Sequence, residues 1–163
     1  MAAALLVFNL AAHADSITGG VVRVADGDTI TVLDHLNNQH KIRLAGIDAP
    51  ESHQPFGGAS KRHLAAMVAG KTASIDFVKF DRYQRMVGKV LVDGVDVCLE
   101  QIKAGLAWHY KKYEREQSLE DRRAYAAAED QARKEKRGLW SDKDPVAPWE
   151  WRKMHQLRDR ANE

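Results

Sequence analysis

Cysteine is nearly missing from this sequence: Cys98 is the single one among 163 residues. That excludes an intramolecular disulfide, and with it any zinc ribbon or iron–sulfur cluster built from several thiolates. Within Val95-Asp96-Val97-Cys98-Leu99 the thiol is expected to serve as a small buried hydrophobe. The seven histidines show no HExxH and no closely paired ligand spacing, so zinc-enzyme chemistry is not expected. Long apolar runs are missing too. The nearest, Ala2 to Leu10 and on to Ala12, is too short to cross a bilayer. Neither sign of charge dominates, since 25 Lys and Arg face 23 Asp and Glu for a net charge of +2. Such a balance permits a nucleic-acid partner without demanding one, so the placement of the charges has to decide. No internal repeat and no linker interrupts the chain.

What is present reads as one folded domain. A hydrophobic content of 44% rules out wholesale disorder, and a charged content of 29% rules out a membrane-embedded body. Residues 1–14 resemble a secretory signal: an apolar stretch, then Ala12-His13-Ala14 in the small-x-small form that signal peptidase accepts, with Asp15 as the mature start. No Lys or Arg precedes that stretch, as in a truncated signal. The expectation is a periplasmic or secreted protein, free of the membrane once the signal is removed.

From Gly19 onward β-type runs take over. Val21 to Val24, Thr29 to Leu33 and His40 to Ala45 are separated by the turn formers Asp26-Gly27-Asp28 and Asn37-Asn38, which predicts an antiparallel meander. Gly57 to Ala69 carries Leu64, Met67 and Val68 at helical spacing and ends at Gly70, a natural C-terminal cap. Two more strands follow, Ala73 to Phe80 and Arg85 to Val92. Asp93-Gly94 then turns into a short helix marked by Val95, Leu99, Ile102 and Leu106. A last helix is expected from a capping box at Ser118, with Asp121 reaching back, to Arg137 before Gly138. Pro145 and Pro148 are expected to break regular structure, leaving 143–163 as a basic, tryptophan-containing tail, for which three readings stay open: contact with nucleic acid through Arg152, Lys153, Arg158 and Arg160, docking through Trp149 and Trp151, or disorder. Five short strands and about three helices predict a small closed β-barrel of the oligonucleotide-binding (OB) type, within 19–142.

Polar residues that no core needs gather in three places. These are Asp26-Gly27-Asp28-Thr29, Arg43-Leu44-Ala45-Gly46-Ile47-Asp48-Ala49-Pro50-Glu51 and Asp81-Arg82-Tyr83-Gln84-Arg85. Singly, each has an ordinary explanation as a turn, an edge charge or a helix-start charge. Together they fall where a barrel brings strand ends to one rim. Two carboxylates about 4 Å apart repel by roughly 4 kcal/mol at an effective dielectric near 20, and so need a proton or a cation. With no nitrogen or sulfur ligand nearby, oxygen-only chemistry favours calcium, whose flexible shell accepts two carboxylates, a backbone carbonyl and water. Arginine is the side chain for a phosphate, because its planar fork donates two charge-assisted hydrogen bonds. A spare carboxylate, Glu51, suits orienting or deprotonating water. This is equipment for metal-assisted attack of water on a phosphodiester.

The same three segments resemble the thermonuclease (staphylococcal or micrococcal nuclease) family, with its Arg-x4-Asp-x2-Glu spacing intact from Arg43 to Glu51. The likeness runs on through Gly105-Leu106-Ala107-Trp108 and Gly138-Leu139-Trp140, about residues 19 to 142. The resemblance implies calcium-dependent hydrolysis of DNA and RNA at the 5′ P–O bond, leaving 3′-phosphates. It implies Asp28 and Asp48 as calcium ligands with the backbone carbonyl of Ala49, where the best-known member has threonine. Glu51 is implied as general base or water-positioning residue, and Arg43 and Arg85 as the neutralisers of the scissile phosphate. Arg82 and Tyr83 would touch a neighbouring phosphate, and Tyr113 would stack on a base. Lys111 stands in place of one pocket tyrosine, and Asp26 is read as a turn residue rather than a ligand.

The competing reading is a non-catalytic module of the same fold that binds nucleic acid or a protein. Such modules lose catalytic carboxylates or arginines, whereas all five positions are filled here. No protein partner is evident, and a monomer is expected.

Overall fold

The computed structural model describes residues 15–161, so the signal-like segment 1–14 lies outside the described residues. Strands β1 (Asp15–Val24), β2 (Thr29–Leu33) and β3 (Gln39–Leu44) form the expected meander. β4 (Ile47–Asp48) follows, then α1 (Gly57–Val68), β5 (Thr72–Phe80), β6 (Met86–Val92) and β7 (Val95–Asp96). The chain continues through α2 (Val97–Lys103), β8 (Trp108–His109), α3 (Leu119–Lys134) and α4 (Pro148–Ala161).

The sheet order is β3-β2-β1-β5-β6-β7, and a parallel pairing of β3 with β6 closes β1, β2, β3, β5 and β6 into a barrel. β1 begins at Asp15, before the expected Gly19, and serves two neighbours. Asp15 to Gly20 pair with β5, while Gly20 to Val24 pair with β2 across a bulge between Val21 and Arg23. A bulge bends and twists the strand, which lets one strand turn a barrel corner. In β6 burial alternates from Met86 to Val92, the period-two signature of a strand with one face inward.

The core fills the barrel with Val21, Ile30, Val32, Ile42, Leu44, Ile75 and Val90, capped by Leu64 and Val68 of α1 and Cys98 and Ile102 of α2. Side chains of this kind contribute about 1.5–3 kcal/mol each on burial. Cys98 is fully buried, as expected of it, and burial pushes its thiol up to about 12. A second cluster of Ala132, Leu139 and Trp140 packs with Phe56 and Trp108 at the end of α3.

Three expectations are corrected. The Ser118 hydroxyl does cap α3 by accepting from the Asp121 amide (3.0 Å), but the Asp121 carboxylate faces Lys89 (2.6 Å) instead of reaching back. The helix ends at Lys134, because Lys136 and Gly138 both adopt positive φ (52° each). Pro148 starts regular structure instead of breaking it. It occupies the first position of α4, where a fixed φ suits the helix and the missing N–H is no loss.

Candidate active site

Barrel closure assembles the site. The β2–β3 ladder sets Thr29 opposite Arg43, and the β3–β6 pairing sets Arg43 opposite Val87, so the β1–β2 turn, the end of β3 and the β5–β6 turn share one rim. There a cleft of about 940 Å³ is lined by Asp26, Asp28, Arg43, Asp48, Ala49, Glu51, Arg82, Tyr83, Arg85 and Tyr113 among others. Every site residue expected from the sequence is therefore on one surface.

Asp28 is 6% exposed and Asp48 1%. Their carboxylates converge on a single nitrogen: Arg43 Nη2 lies 3.1 Å from Asp28 Oδ2 and 2.8 Å from Asp48 Oδ1. Arg43 Nη1 donates to the carbonyls of Leu44 (2.8 Å) and Ile47 (2.9 Å), so this guanidinium splints the β3–β4 turn while facing both acids. Burial lowers the Arg43 pKa, but Asp28, Asp48 and Asp26 outweigh it and hold the group firmly charged. Burial raises Asp48, against the opposing pull of Arg152 and Arg43.

Asp28 is placed by its own loop. Its Oδ2 accepts from the Ala49 amide (2.7 Å), and its amide donates to Asp26 Oδ1 (3.0 Å). Asp26 is thus the supporting turn residue expected of it, and burial beside Asp28 pushes it up to about 6. Gly27 is dictated by packing, since a Cβ there would meet Ser60 Oγ at 2.0 Å. Asp48 is fixed by the short β4–β8 ladder, opposite Trp108. Glu51 starts a turn closed by Gln54, whose side chain accepts from the Glu51 amide (3.1 Å) and donates to the Val146 carbonyl (2.7 Å).

Arg85 is aimed by Asp81. Asp81 Oδ1 accepts from the amides of Tyr83 (2.8 Å) and Arg85 (3.0 Å), and Oδ2 accepts from Arg85 Nε (2.8 Å). Though burial raises Asp81, these hydrogen bonds hold its carboxyl below the ordinary range. Tyr83 is 62% exposed, with the guanidinium carbons of Arg82 and Arg85 at 4.8 and 5.4 Å from its ring. Tyr113 is 40% exposed and carries Lys79 Nζ 4.9 Å from its ring centre. Lys111, read from the sequence as a pocket substitution, leaves the cleft and pairs with the buried Glu129 (2.7 Å). Lys112 and Tyr110 line the cleft instead.

Three contributors stand outside the site residues expected from the sequence. Gln101 on α2 donates to the Gly27 carbonyl (2.6 Å) and to Ser60 Oγ (3.1 Å), tying the Asp26–Asp28 turn to two helices. Trp149 stacks on Tyr110, with ring centres 5.2 Å apart and planes 3° apart. Arg152 donates to Asp48 Oδ2 (2.8 Å) and Glu51 Oε1 (2.6 Å). The last two were legible as a helical stripe: Trp149, Arg152, Lys153 and Gln156, at i, i+3, i+4 and i+7, all line the cleft.

The donor chemistry suits a hard cation: two buried carboxylates converge, a backbone carbonyl follows one of them, and among the described residues no His or Cys lines the cleft. Among the described residues no three His, Cys, Asp or Glu side chains are already arranged around one ion. Glu51 is turned onto Arg152.

Comparison with known proteins agrees with this geometry. Residues 41–142 match the family described as staphylococcal nuclease homologue. An uncharacterized endonuclease from Escherichia coli O157:H7 is 43% identical over 149 residues, 91% of this chain and 93% of the relative. An uncharacterized endonuclease from Haemophilus influenzae is 37% identical over 155 residues, 94% and 84% of the two chains. Micrococcal nuclease of Shigella flexneri is 38% identical over 162 residues, 93% and 89% of the two chains. Barrel, cleft and near full-length likeness lead to one conclusion: the chain belongs to the staphylococcal nuclease family.

Proposed function

We propose that the protein is a calcium-dependent, sugar-nonspecific nuclease that hydrolyses phosphodiester bonds of DNA and RNA, cleaving 5′ P–O bonds to leave 3′-phosphates. It works as a monomer, in the periplasm or outside the cell. The observation that carries this reading is the convergence of Asp28 and Asp48 on Arg43, with Glu51 and Arg85 lining the same cleft. Family membership and the nuclease names of its relatives support it. Export rests on the apolar segment and the Ala12-His13-Ala14 site.

Asp28, Asp48 and the Ala49 carbonyl would hold the calcium ion, which when bound supplies positive charge to the phosphoryl oxygens. Glu51, with 41% of its side chain exposed, is the carboxylate able to reach solvent; it orients the attacking water and takes its proton. Arg85 neutralises charge as the five-coordinate transition state forms, its fork kept in place by Asp81. Arg43 shares that duty while bridging the two acids. Arg82 and Tyr83, beside Arg85 and exposed, meet the next phosphate, and Tyr113 offers a ring to a base.

Digestion of single-stranded DNA with calcium, then magnesium, then chelator tests the reading, with Glu51→Gln purified identically as the contamination control. Cleavage that needs calcium and disappears in the variant is expected, and end analysis reports which bond breaks. A folded protein that retards DNA without cutting it under any metal would instead be a binding module.

A further inference from the structure

Arg152 reaches the carboxylates at the centre of the cleft, yet the catalytic reading gives it no task. Its guanidinium forks across Asp48, with Nη1 3.2 Å from Oδ1 and Nη2 2.8 Å from Oδ2, and Nη1 also reaches Glu51 Oε1 at 2.6 Å. Both oxygens of Asp48 are therefore engaged by arginine, Oδ1 by Arg43 as well. Of the neighbouring cations, Arg43 is shared between Asp28 and Asp48, and Arg85 pairs with Asp81. Arg152 alone answers the charge of Glu51 among the described ion pairs.

The position is not left to a wandering side chain. α4 is held at its start by the Gln54 bond to the Val146 carbonyl and by Trp149, which stacks on Tyr110 and meets Trp108 edge-on with ring centres 5.5 Å apart. One helical turn after Trp149 comes Arg152, on the same face. The docked helix delivers a positive charge to the two carboxylates that a divalent ion and a catalytic water need. An ion at bonding distance from Asp48 would lie against this guanidinium, like charge on like charge.

We propose that Arg152 is the internal counter-ion of the active centre: it neutralises Asp48 and Glu51 in the absence of a divalent cation, and it has to release them for that cation to bind. α4 thereby sets the affinity for the ion. Arg152 is a positioning residue, and the inference rests on the calcium reading above.

The test is a calcium titration without nucleic acid, followed through the melting temperature, whose dependence on ion concentration gives the affinity. Arg152→Met keeps the apolar stem and removes the charge. It is expected to lower the melting temperature of the calcium-free protein and to tighten calcium binding about tenfold, the order of a single close charge pair. Arg152→Lys retains charge but cannot fork across both carboxylates, so it should fall between the two. It also keeps the test decidable if Arg152→Met does not fold. Equal or weaker calcium binding by the folded variants overturns this inference alone. No calcium response in wild type or variants overturns the calcium reading, and this inference falls with it.

Discussion

Asp81 Oδ2 holds Arg85 by its Nε and Nη2, each 2.8 Å away, so the direction of this guanidinium is set by a carboxylate four residues earlier in the same turn. The pair is partly exposed, which limits its worth to stability to roughly 0–1 kcal/mol. Its worth to catalysis is larger, because a clamp loosened by an ångström loses much of its benefit. Asp81→Ala is expected to lower kcat about 10–100-fold, and to cost about 0.5–1.5 kcal/mol of stability because Oδ1 also accepts from the Tyr83 and Arg85 amides. Arg85→Lys should be at least as damaging, since a point charge cannot replace a fork. Steady-state kinetics beside thermal melts check both.

Glu51 lines the cleft with 41% of its side chain exposed, and its proposed role requires a carboxylate rather than an amide. Glu51→Gln is expected to lower turnover by about 10²–10⁴-fold, the range for a positioned base. The fold should survive, because the backbone bonds of the Glu51–Gln54 turn do not involve this side chain. Wild-type turnover by the purified variant would remove Glu51 from the mechanism.

The barrel and its rim were legible because each rests on local chemistry. Asp26-Gly27-Asp28 is a turn in sequence and in structure, and the mostly apolar run from Met86 to Val92 forms β6. What stayed hidden depends on long-range partners. Nothing near Gln101 announces that its amide will meet Gly27, 74 positions away. Lys111 falls at a pocket position by its resemblance to the family, and only tertiary packing turns it toward Glu129. The α4 stripe has a helical period and a proline start, but two prolines within four residues also read as a break, so the sequence alone leaves open whether Trp149 docks this segment.

Gln101 offers a measure of how far the site depends on its support. Its amide bonds Gly27 O, Ser60 O and Ser60 Oγ inside the protein, and its own oxygen meets His63 Nδ1 at 2.6 Å. Gln101→Leu strands these groups without water, at a cost of about 1–3 kcal/mol. Because the Gly27 carbonyl belongs to the Asp26–Asp28 turn, calcium affinity should fall along with the melting temperature. Gln101→Glu retains an acceptor for His63 but gives up the amide donor, and is expected to weaken calcium binding too. Unchanged affinity in both folded variants would mean that the turn holds its shape without α2.

Cys98 makes a prediction of inertness. The thiol is completely buried, and burial pushes it up to about 12, so at pH 8 very little thiolate forms and none is accessible. A thiol reagent at pH 8 should leave the native protein unlabelled for as long as it stays folded. Labelling should track unfolding when denaturant is added. Fast labelling without denaturant would show that the contact between α2 and the barrel opens locally.

Gly105 and Gly138 explain why two short motifs so far apart matter to one fold. Both have positive φ, 67° and 52°, and they lie back to back. A Cβ on Gly105 would come within 2.2 Å of the Arg137 carbonyl oxygen, and one on Gly138 within 2.3 Å of the Gly105 carbonyl oxygen. The contact is sealed by a hydrogen bond from the Leu139 amide to the Gly105 carbonyl (2.8 Å). It joins the end of α2 to the Leu139–Trp140 cluster, against which Trp108 of β8 packs, and β8 in turn pairs with the strand bearing Asp48. Gly105→Ala is expected to cost about 2–4 kcal/mol, combining left-handed strain with a backbone clash that no rotamer relieves. By contrast, Gly94→Ala, at φ 77° with open space around its Cβ position, should cost only the strain, about 1–2 kcal/mol. Chemical denaturation of the two variants separates the terms, and equal losses would mean that the Gly105–Gly138 contact yields without cost.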